Sequence, residues 1–334
     1  MLKIAVIGAG RIGAIHAANV AAHPKCQLTW VCDPVPGAAE KLNLGVKTSL
    51  NADEAINAPD VDAVIICSPT PTHVDLILAA TAAGKPVLCE KPVDLDLARA
   101  LSCLEEVESR KGTVMIGFNR RFDPSFAEVH SRVANGEIGN LEQLTIISRD
   151  PSAPPPSYVA SSGGIFRDMT IHDFDMARFF LGTVTEVRTV GQNLIDPGIK
   201  EAGDNDSAVV VLTGSTGAVA TILNSRRCAY GYDQRLEAFG SLGMLEARNH
   251  HATSVAASTS TLTGATGRVQ DFFLQRYQEA YRLELDAFWN TVVNGELPSP
   301  SLRDGCEALY IAEAAQQSQS SGDTVTLPGM TSHQ

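Results

Sequence analysis

Short runs of apolar residues alternate with amphipathic stretches over the first 118 residues of the chain. The runs are KIAVIGAG, QLTWVCD, AVIICSP, PVLCE and TVMIGF, and Ala-rich segments with helical spacing separate them. Strands of a parallel sheet are covered on both faces and therefore read as continuous apolar runs, as AVIIC does. The alternation predicts an α/β domain with a doubly wound parallel sheet.

A different pattern begins after Arg121. The segments LEQLTIISRD, SAVVVLTG, GAVATILNSRR, QRLEAFGS and GMLEARN have strand character, and from Val184 to about Ala257 only Gly and Ser turns separate the strands. Strands joined without helices predict a mostly antiparallel sheet. Apolar positions at helical spacing predict helices over 124–135, 165–181, 275–294 and 302–318. The second half is therefore expected to be an α+β domain.

Two segments of the second half are expected to lack regular structure. The stretch PSAPPPSYVASSGG, which includes residues 151–162, is rich in proline and is predicted to be an irregular loop. The tail after Gly322 is expected to be loosely held. With 334 residues the chain is long enough for two domains, which we place at 1–120 and 121–334.

Composition and charge exclude several classes of partner. A net charge of −12 and the lack of a Lys/Arg block disfavour nucleic acid, because such a chain repels a polyphosphate backbone. Every apolar run is shorter than the about 18 residues of a membrane span, so no membrane partner is expected. The beginning, MLKIAVIGAG, has no signal-type segment, which predicts a cytoplasmic location. Seven cysteines, none in a C-x-x-C pair, predict neither a disulfide framework nor a zinc site.

The glycine-rich segment after the first predicted strand carries the clearest functional signal. Gly8-Ala9-Gly10-Arg11-Ile12-Gly13 has the pattern G-x-G-x-x-G and opens the helical run IGAIHAANVAA. In this context the first glycine permits a tight turn, the second allows a pyrophosphate to approach, and the third lets helix and strand pack closely. Amides at the helix N-terminus then bind the phosphates. The segment predicts a dinucleotide-binding βαβ unit.

Asp33 indicates which dinucleotide is bound. It ends the strand LTWVCD, twenty residues beyond Gly13, where a carboxylate accepts hydrogen bonds from the adenosine ribose hydroxyls. A carboxylate repels a 2′-phosphate, and the next residue is Pro34 rather than an arginine, so NAD is favoured over NADP. The alternative is that the glycines only form a turn and Asp33 is a solvated strand end, and the spacing weighs against it.

A second strand end supplies further candidate contacts, since ligands of open α/β sheets bind at the carboxyl ends of strands. CSPTPTH places Ser68, Pro69 and Thr70 at such an end, and His73 follows them. His73 is explained equally well as a ligand contact and as a first-turn surface residue after a Thr72 helix cap.

The segment Glu90-Lys91-Pro92 closes the strand PVLCE at the same edge. A lysine there can donate a hydrogen bond to a developing alkoxide, although a lysine at a strand end is usually a solvated surface group. Together with the preceding motifs, the predicted cofactor-binding residues are Gly8, Gly10, Arg11, Ile12, Gly13, Asp33, Ser68, Pro69, Thr70, His73, Glu90 and Lys91.

The segment GGIFRDMTIHDFDMARFF in the second half contains a candidate general base. Asp168 and His172 are four residues apart in a helical pattern, which places them on one face of a helix. A carboxylate beside an imidazole orients it and raises its basicity, and histidine readily takes a proton near neutral pH. On spacing alone, a helix-terminal charge at Asp168 and a packed core histidine explain the pattern at least as well.

Several motifs together resemble those of one family. In order along the chain, G-A-G-R-I-G, S-P-T-x-x-H, C-E-K-P, G-F-N-R-R-F-D and D-M-T-I-H-D-F-D are typical of the Gfo/Idh/MocA oxidoreductases, and the resemblance covers essentially the whole chain. It implies a Rossmann domain and a second domain with a large open-faced, mostly antiparallel sheet for substrate binding and oligomerisation. It also implies NAD as cofactor, no metal, and commonly a homotetramer built through the sheets; the C-terminal helices can pack back on the first domain.

Three segments narrow the resemblance within the family. GFNRRFDPSF, FRDMTIHDFDMARFF and SRRCAYGYDQRLEAFGS are similar to the branch that oxidises myo-inositol to its 2-keto derivative, scyllo-inosose. The resemblance makes Lys91, Asp168 and His172 the catalytic residues, with His172 as base and Lys91 polarising the oxygen. Arg120 and Tyr232 then fall where this branch lines its polyol pocket.

One strand end departs from the branch. Some members carry histidine and asparagine where this chain has Ser148 and Asp150. Asp150 can still accept hydroxyl hydrogen bonds, so it stays a predicted substrate contact and the preferred isomer stays open. The alternatives are a dehydrogenase of scyllo-inositol, another cyclitol or an aldose, and a non-catalytic dinucleotide-sensing regulator.

Overall fold

A computed structural model gives the fold and describes residues 1–329, without the side chains of Pro156 and Ala160. The described chain divides into two compact units. The first contains residues 1–122 and 280–309, and the second contains residues 123–279 and 310–329. The first unit therefore includes a segment close to the end of the chain as well as its N-terminal part.

A six-stranded parallel sheet forms the centre of the first unit. Its strands run in the order β3-β2-β1-β4-β5-β6, and every pairing is parallel. The strands are β1 (Leu2–Ile7), β2 (Cys26–Cys32), β3 (Lys47–Ser49), β4 (Ala63–Ile66), β5 (Val87–Glu90) and β6 (Val114–Gly117). The order reverses between β1 and β4, the point at which doubly wound sheets bind ligands. The predicted parallel sheet is confirmed.

Four helices connect these strands: α1 (Arg11–Ala22), α2 (Ala52–Ile56), α3 (His73–Ala82) and α4 (Leu97–Ser109). The central strands are apolar and buried, as expected for a parallel sheet covered on both faces; β4 and β6 are buried at all four positions. Short 3₁₀ turns at 40–42, 70–72 and 119–122 complete the connections.

A seven-stranded sheet forms the second unit, in the order β12-β11-β7-β10-β9-β8-β15. Its strands are β7 (Leu141–Arg149), β8 (Val184–Gln192), β9 (Ser207–Gly214), β10 (Val219–Ser225), β11 (Asp233–Gly240), β12 (Gly243–Ala247) and β15 (Val325–Thr326). Only β7 and β10 pair in parallel. Burial alternates along β9 and β10, so one face packs on the core and the other is open. The predicted mostly antiparallel sheet is confirmed.

The second unit also contains a short hairpin and six helices. The hairpin strands are β13 (Ala256–Ala257) and β14 (Ala265–Thr266). The helices are α5 (Pro124–Ala134), α6 (Pro156–Ser162), α7 (Gly164–Asp168), α8 (Ile171–Leu181), α9 (Pro197–Glu201) and α10 (Phe273–Arg276). Two longer helices, α11 (Gln278–Asn294) and α12 (Leu302–Ser321), each have residues in both units.

Three local predictions were wrong. The proline-rich stretch is not irregular throughout, because α6 begins within it; proline is accommodated at the first helical position, where its missing N–H is not needed. The strands from Val184 onward are not free of helices, since α9 lies between β8 and β9. The tail after Gly322 is not loose where it forms β15, which pairs with β8 and gains backbone hydrogen bonds.

Candidate active site

The glycine turn between β1 and α1 has the backbone geometry that its sequence requires. Gly8 has φ +99°, a conformation that side chains disfavour, and a Cβ there would lie 2.7 Å from the backbone of Cys67 and Ser68. A Cβ on Gly13 would lie 1.9 Å from the Gly8 carbonyl oxygen. These two glycines are therefore needed for the turn to form and for the helix to pack on it.

Gly10 differs from the other two because its absent side chain leaves open space. A Cβ at this position would meet no atom within 4 Å, and the φ of Gly10 is −68°. Gly10 is also the N-cap of α1, so no cap side chain accepts hydrogen bonds from the first-turn amides. A helix N-terminus without a cap side chain, next to open space, suits a phosphate group. The turn thus fits the pyrophosphate of a dinucleotide.

Asp33 is connected to this turn by hydrogen bonds. Its Oδ2 accepts from the Ala9 amide at 2.7 Å, and its Oδ1 accepts from the Val35 amide at 2.9 Å. Each carboxylate oxygen has a second acceptor position, so ribose hydroxyls can still donate to Asp33. The carboxylate therefore fixes the glycine turn as well as offering the acceptor that NAD needs.

We predict that Gly10→Ala weakens NAD binding without unfolding the protein. The added methyl group occupies the open space, so the Kd for NAD should rise about tenfold or more. The free energy of unfolding should fall by less than about 1 kcal/mol, since alanine is a poorer N-cap than glycine. Calorimetric titration with NAD measures the first effect and thermal unfolding the second.

Gly243→Ala provides a matched control, since a Cβ at Gly243 also meets nothing within 4 Å and the residue lies in β12 of the other unit. It should leave the Kd for NAD unchanged. If Gly10→Ala binds NAD as tightly as the wild type, the open space is not the pyrophosphate position.

His73 holds two strand ends together. Its ring is 1% exposed, and its two nitrogens lie 2.8 Å from the carbonyl oxygens of Pro92 and Ser68. Burial lowers the pKa of His73, although the two carbonyls act in the opposite direction. The contact links the loop after β4 to the loop after β5. Since both ring nitrogens contact backbone, the predicted influence of His73 on a cofactor is exerted through the position of these loops.

The remaining predicted residues of the first unit lie at the carboxyl end of its sheet. Ser68 follows β4, and its hydroxyl lies 2.6 Å from that of Thr72, which donates to the Pro69 carbonyl. Glu90 ends β5, and Lys91 is partly buried directly after it. Arg120 is buried in the turn after β6. The structure brings these strand ends to the same edge of the sheet as the glycine turn.

Asp168 and His172 are not on one continuous helix, which corrects the predicted helix over 165–181. Asp168 ends α7 and His172 lies in the first turn of α8, with a break at Met169 and Thr170. At the break the Thr170 amide donates to the Ile165 carbonyl, five residues back, rather than four. Their pairing therefore stays a prediction based on the resemblance, without support from regular helical stacking.

Asp168 has two neighbours that the sequence did not single out. Its Oδ1 accepts a hydrogen bond from the Tyr158 hydroxyl at 3.1 Å, and its Oδ2 lies 4.0 Å from Nη1 of Arg226. Arg226 is 1% exposed, and its Nη2 donates to Asp204 at 3.2 Å. The carboxylate of Asp204 in turn accepts from the Ile165 amide at the start of α7. Arg226 therefore connects Asp168 to the base of its own helix.

We predict that Arg226→Leu lowers the free energy of unfolding by about 3–5 kcal/mol, because it leaves the Asp204 carboxylate buried without its ion-pair partner. The adjacent Arg227 is exposed, and Arg227→Leu should change stability by less than about 0.5 kcal/mol. Urea titration of both variants measures the difference. Equal stabilities would contradict the role given to Arg226.

A buried polar network supports the segment that carries His172. Asp173 is fully buried and accepts hydrogen bonds from the Ser148 hydroxyl at 2.6 Å and from the Asn224 amide at 2.8 Å. The Thr170 hydroxyl donates to the Asn224 side-chain oxygen at 2.6 Å. Ser148 and Asn224 lie at the carboxyl ends of β7 and β10, so the network ties the start of α8 to that edge of the sheet.

Ser148, one of the two departures from the related branch, lies in the interior of the second unit. Its hydroxyl is buried in this network and is not part of a polar surface. Asp150 is the neighbouring residue beyond the strand end, is partly exposed, and donates its amide to the Ser225 carbonyl at 2.9 Å. Tyr232 precedes β11 at the same edge and packs against Phe272 and Tyr277. The structure therefore brings Asp150 and Tyr232 to one end of the second sheet.

Sequence reasoning missed Tyr158, Asp173, Arg226 and two buried residues of the first unit, His16 and Glu284. Tyr158 lay in a segment predicted to be irregular. Asp173 and Arg226 lay inside motifs in which other residues were selected as site candidates. The sequence signal for Asp173 was the second of three carboxylates in DMTIHDFD. Its burial, however, follows from contacts between elements distant along the chain.

Comparison with known proteins defines the family. Residues 2–118 match the model described as "Oxidoreductase family, NAD-binding Rossmann fold", and residues 126–246 match the GFO/IDH/MocA C-terminal domain. The inositol 2-dehydrogenase of Rhizobium meliloti strain 1021 is 47% identical over 320 residues, which cover 95% of this chain and 96% of the relative. The chain belongs to the GFO/IDH/MocA oxidoreductase family.

Solved structures of the same family agree with this assignment. A myo-inositol dehydrogenase from Corynebacterium glutamicum ATCC 13032 is 49% identical, has a TM-score of 0.95, and covers 99% of this chain and 100% of its own. A scyllo-inositol dehydrogenase from Lactobacillus casei, solved with bound NAD(H) and scyllo-inositol, is 30% identical with a TM-score of 0.90, covering 98% and 99%. The predicted enzyme class and fold are confirmed, and NAD is the cofactor.

Proposed function

We propose that this enzyme oxidises myo-inositol to scyllo-inosose and transfers the hydride to NAD. The observation that supports the proposal is that one chain contains both the glycine turn held by Asp33 and the proposed catalytic residues Lys91, Asp168 and His172. The relatives named as inositol dehydrogenases match over nearly the whole chain, so the substrate-binding unit is included in the similarity.

His172 is the proposed general base. It removes the proton of the substrate hydroxyl while the hydride leaves the same carbon, and NAD supplies the hydride acceptor when bound. Asp168 orients the imidazole, and Tyr158 and Arg226 in turn hold the Asp168 carboxylate in place. Lys91 donates a hydrogen bond to the oxygen that develops negative charge.

Arg120, Asp150 and Tyr232 are the proposed substrate contacts beyond the catalytic residues. A polyol needs several such donors and acceptors, because each hydroxyl loses hydrogen bonds with water when it is bound. When ionised, Asp150 is a hydrogen-bond acceptor only, whereas the Tyr232 hydroxyl both donates and accepts. The proposed cofactor contacts are those predicted from the sequence, with His73 acting through the loops that it joins.

A spectrophotometric assay of NAD reduction tests the function. We expect myo-inositol to give the highest kcat/KM in a panel of myo-inositol, scyllo-inositol, other inositol isomers and glucose. A higher kcat/KM for scyllo-inositol would favour the second candidate, which the similarity to the Lactobacillus casei enzyme supports at lower identity. NAD binding without reduction by any polyol would instead indicate a non-catalytic regulator.

Self-association through the open face of the second sheet is also proposed. Outward positions on neighbouring strands form an apolar row of Val190, Val209, Leu223 and Ile147. Val190 is 52% exposed and Val209 40% exposed in the single chain. Contiguous apolar surface of this kind is typical of interfaces between subunits. We expect a homotetramer in light scattering, and a monomer under the same conditions would contradict it.

The proposed location is the cytoplasm. Its support is the seven cysteines, which are all free thiols and six of which are buried, in keeping with a reducing compartment. Separately, none of the helices within residues 1–329 has the length and apolarity to cross a membrane.

A further inference from the structure

Three titratable side chains of the first unit meet in its interior beside the end of β5. His16 of α1, Glu90 of β5 and Glu284 of α11 each bring a ligand atom to within 4.8 Å of the others, and we call this group the Glu284 cluster. His16 is 1% exposed and Glu284 is fully buried. The proposed function uses Glu90 only as a cofactor contact and does not use His16 or Glu284.

The contacts of the His16 ring indicate its tautomer. Its Nε2 lies 2.8 Å from Oε1 of Glu90, whereas its Nδ1 is buried without a hydrogen-bond partner among residues 1–329. The ring edge packs against Tyr281, with centroids 5.5 Å apart and planes at 87°. A hydrogen on Nδ1 would be buried with no acceptor, which is costly. The contacts therefore favour the tautomer with its hydrogen on Nε2, donated to Glu90.

Glu284 is in the opposite situation. Within the described residues, neither of its carboxyl oxygens accepts a hydrogen bond from any donor. A buried carboxylate without donors is strongly disfavoured. Burial first, and the nearby Glu90 second, raise the pKa of Glu284 well above its usual value. A protonated Glu284 needs an acceptor for its O–H, and the cluster offers one in Glu90.

Two thiols beside the cluster carry no charge. Desolvation raises the pKa of Cys67 and of the buried Cys89 well above the usual value, so both are neutral. On the β6 side Gly117 leaves room for the Glu90 carboxyl, since a Cβ there would lie 3.2 Å from Oε2. Glu90 is thus confined between β6, His16 and Glu284.

We propose that Glu284 is a neutral carboxylic acid that donates its hydrogen to Glu90, and that Glu284 and His16 are positioning residues for Lys91. Two donors then hold Glu90 as a single, oriented negative charge. Because Glu90 is bonded directly to Lys91, an oriented Glu90 carboxylate fixes the backbone of the lysine. The role of Lys91 rests on the proposed function, whereas the protonation of Glu284 does not.

Infrared difference spectroscopy of the whole protein at neutral pH tests the protonation. The wild type should show the carbonyl stretch of a protonated carboxylic acid, and Glu284→Gln should lack it. Asp286→Asn, two residues away on α11 with an exposed, ion-paired carboxylate, should keep the band. The proposal is overturned if the wild-type spectrum shows no such band or if Glu284→Gln retains it.

The pH dependence of stability gives an independent check. The pKa of Glu284 is higher in the folded than in the unfolded chain, so the folded state binds the extra proton and stability falls as pH rises above the unfolded value. Glutamine removes this dependence. The Tm of Glu284→Gln minus that of the wild type should therefore increase from pH 5 to pH 8. A difference independent of pH would count against a neutral Glu284.

Activity tests the positioning role. Glu284→Gln keeps a donor and should retain kcat within about threefold, whereas Glu284→Met removes it and should lower kcat about tenfold, equivalent to one hydrogen bond to a charged group. The KM for NAD should change by less than about threefold in both. Equal kcat values for the two variants would remove the positioning role, while the infrared result would stand even if the wild type oxidised no polyol.

A bound divalent ion is the main competing explanation, since imidazole and two carboxylates are a possible ligand set. Elemental analysis of the purified enzyme distinguishes the two. We expect no stoichiometric transition metal in the wild type. One ion per chain that is lost in Glu284→Gln would overturn the proposal, because a ligating Glu284 is ionised.

Discussion

Replacing His172 with alanine should lower kcat/KM for NAD reduction with myo-inositol by about 10³-fold, within the range attributed to a general base. The residue lies in the first turn of α8 and is partly exposed, while its neighbour Asp173 anchors the helix start through Ser148 and Asn224. That anchor does not involve the His172 ring, so the variant should fold. Steady-state kinetics over a range of pH measure the loss.

The affinity for NAD is the internal control for this variant, because the proposed cofactor contacts all belong to the other unit. It should be unchanged in calorimetric titration. His251→Ala, which removes a histidine from the exposed hairpin segment of the second unit, should keep wild-type turnover. Unimpaired turnover by His172→Ala would eliminate His172 as the base.

The second large effect is expected at Lys91. Lys91→Met keeps the length and apolar stem of the side chain but removes the ammonium group, so kcat should fall by about 10²-fold. The Kd for NAD should change much less, because the proposed contact with the substrate oxygen is strongest in the transition state. Stopped-flow measurement of NADH formation separates this chemical step from product release.

Lys3→Met is a suitable control, since Lys3 is an exposed lysine of the same unit on β1. Its kcat and Kd should equal those of the wild type. If Lys91→Met loses NAD affinity and retains kcat, then Lys91 binds the cofactor and does not stabilise the oxyanion.

The Rossmann-type unit was accessible from the sequence because its signals are local. The G-x-G-x-x-G pattern lies within one βαβ unit, where Gly13 packs on the Gly8 carbonyl, and Asp33 contacts the same turn at the end of the next strand. The apolar run of β4 reflects burial on both faces, which any covered parallel strand must show. Such features depend on neighbours along the chain or on strand periodicity.

The segment that carries Asp168 and His172 was selected by motif spacing and by the family resemblance, and the spacing predicted the wrong local structure. The D-x-x-x-H spacing predicted one helix, whereas the chain breaks at Met169 and Thr170 and the Thr170 hydroxyl contacts Asn224 of a strand more than fifty residues away. The resemblance selected Asp168 and His172 as a catalytic pair, and this assignment stays a prediction. It gave no information about Arg226 or Tyr158, whose contacts with Asp168 join separate elements.

Short-range patterns and ordered motifs were sufficient to predict the α/β unit, the mostly antiparallel sheet, the NAD-type glycine turn and the family. Three features became visible only in the folded chain: Asp173 is a buried hydrogen-bond acceptor, β15 pairs with β8, and Glu284 lies beside His16 and Glu90. Glu284 is nearly two hundred residues from Glu90, and a glutamate on an amphipathic helix is usually solvated. Its burial is a property of packing, which no local pattern encodes.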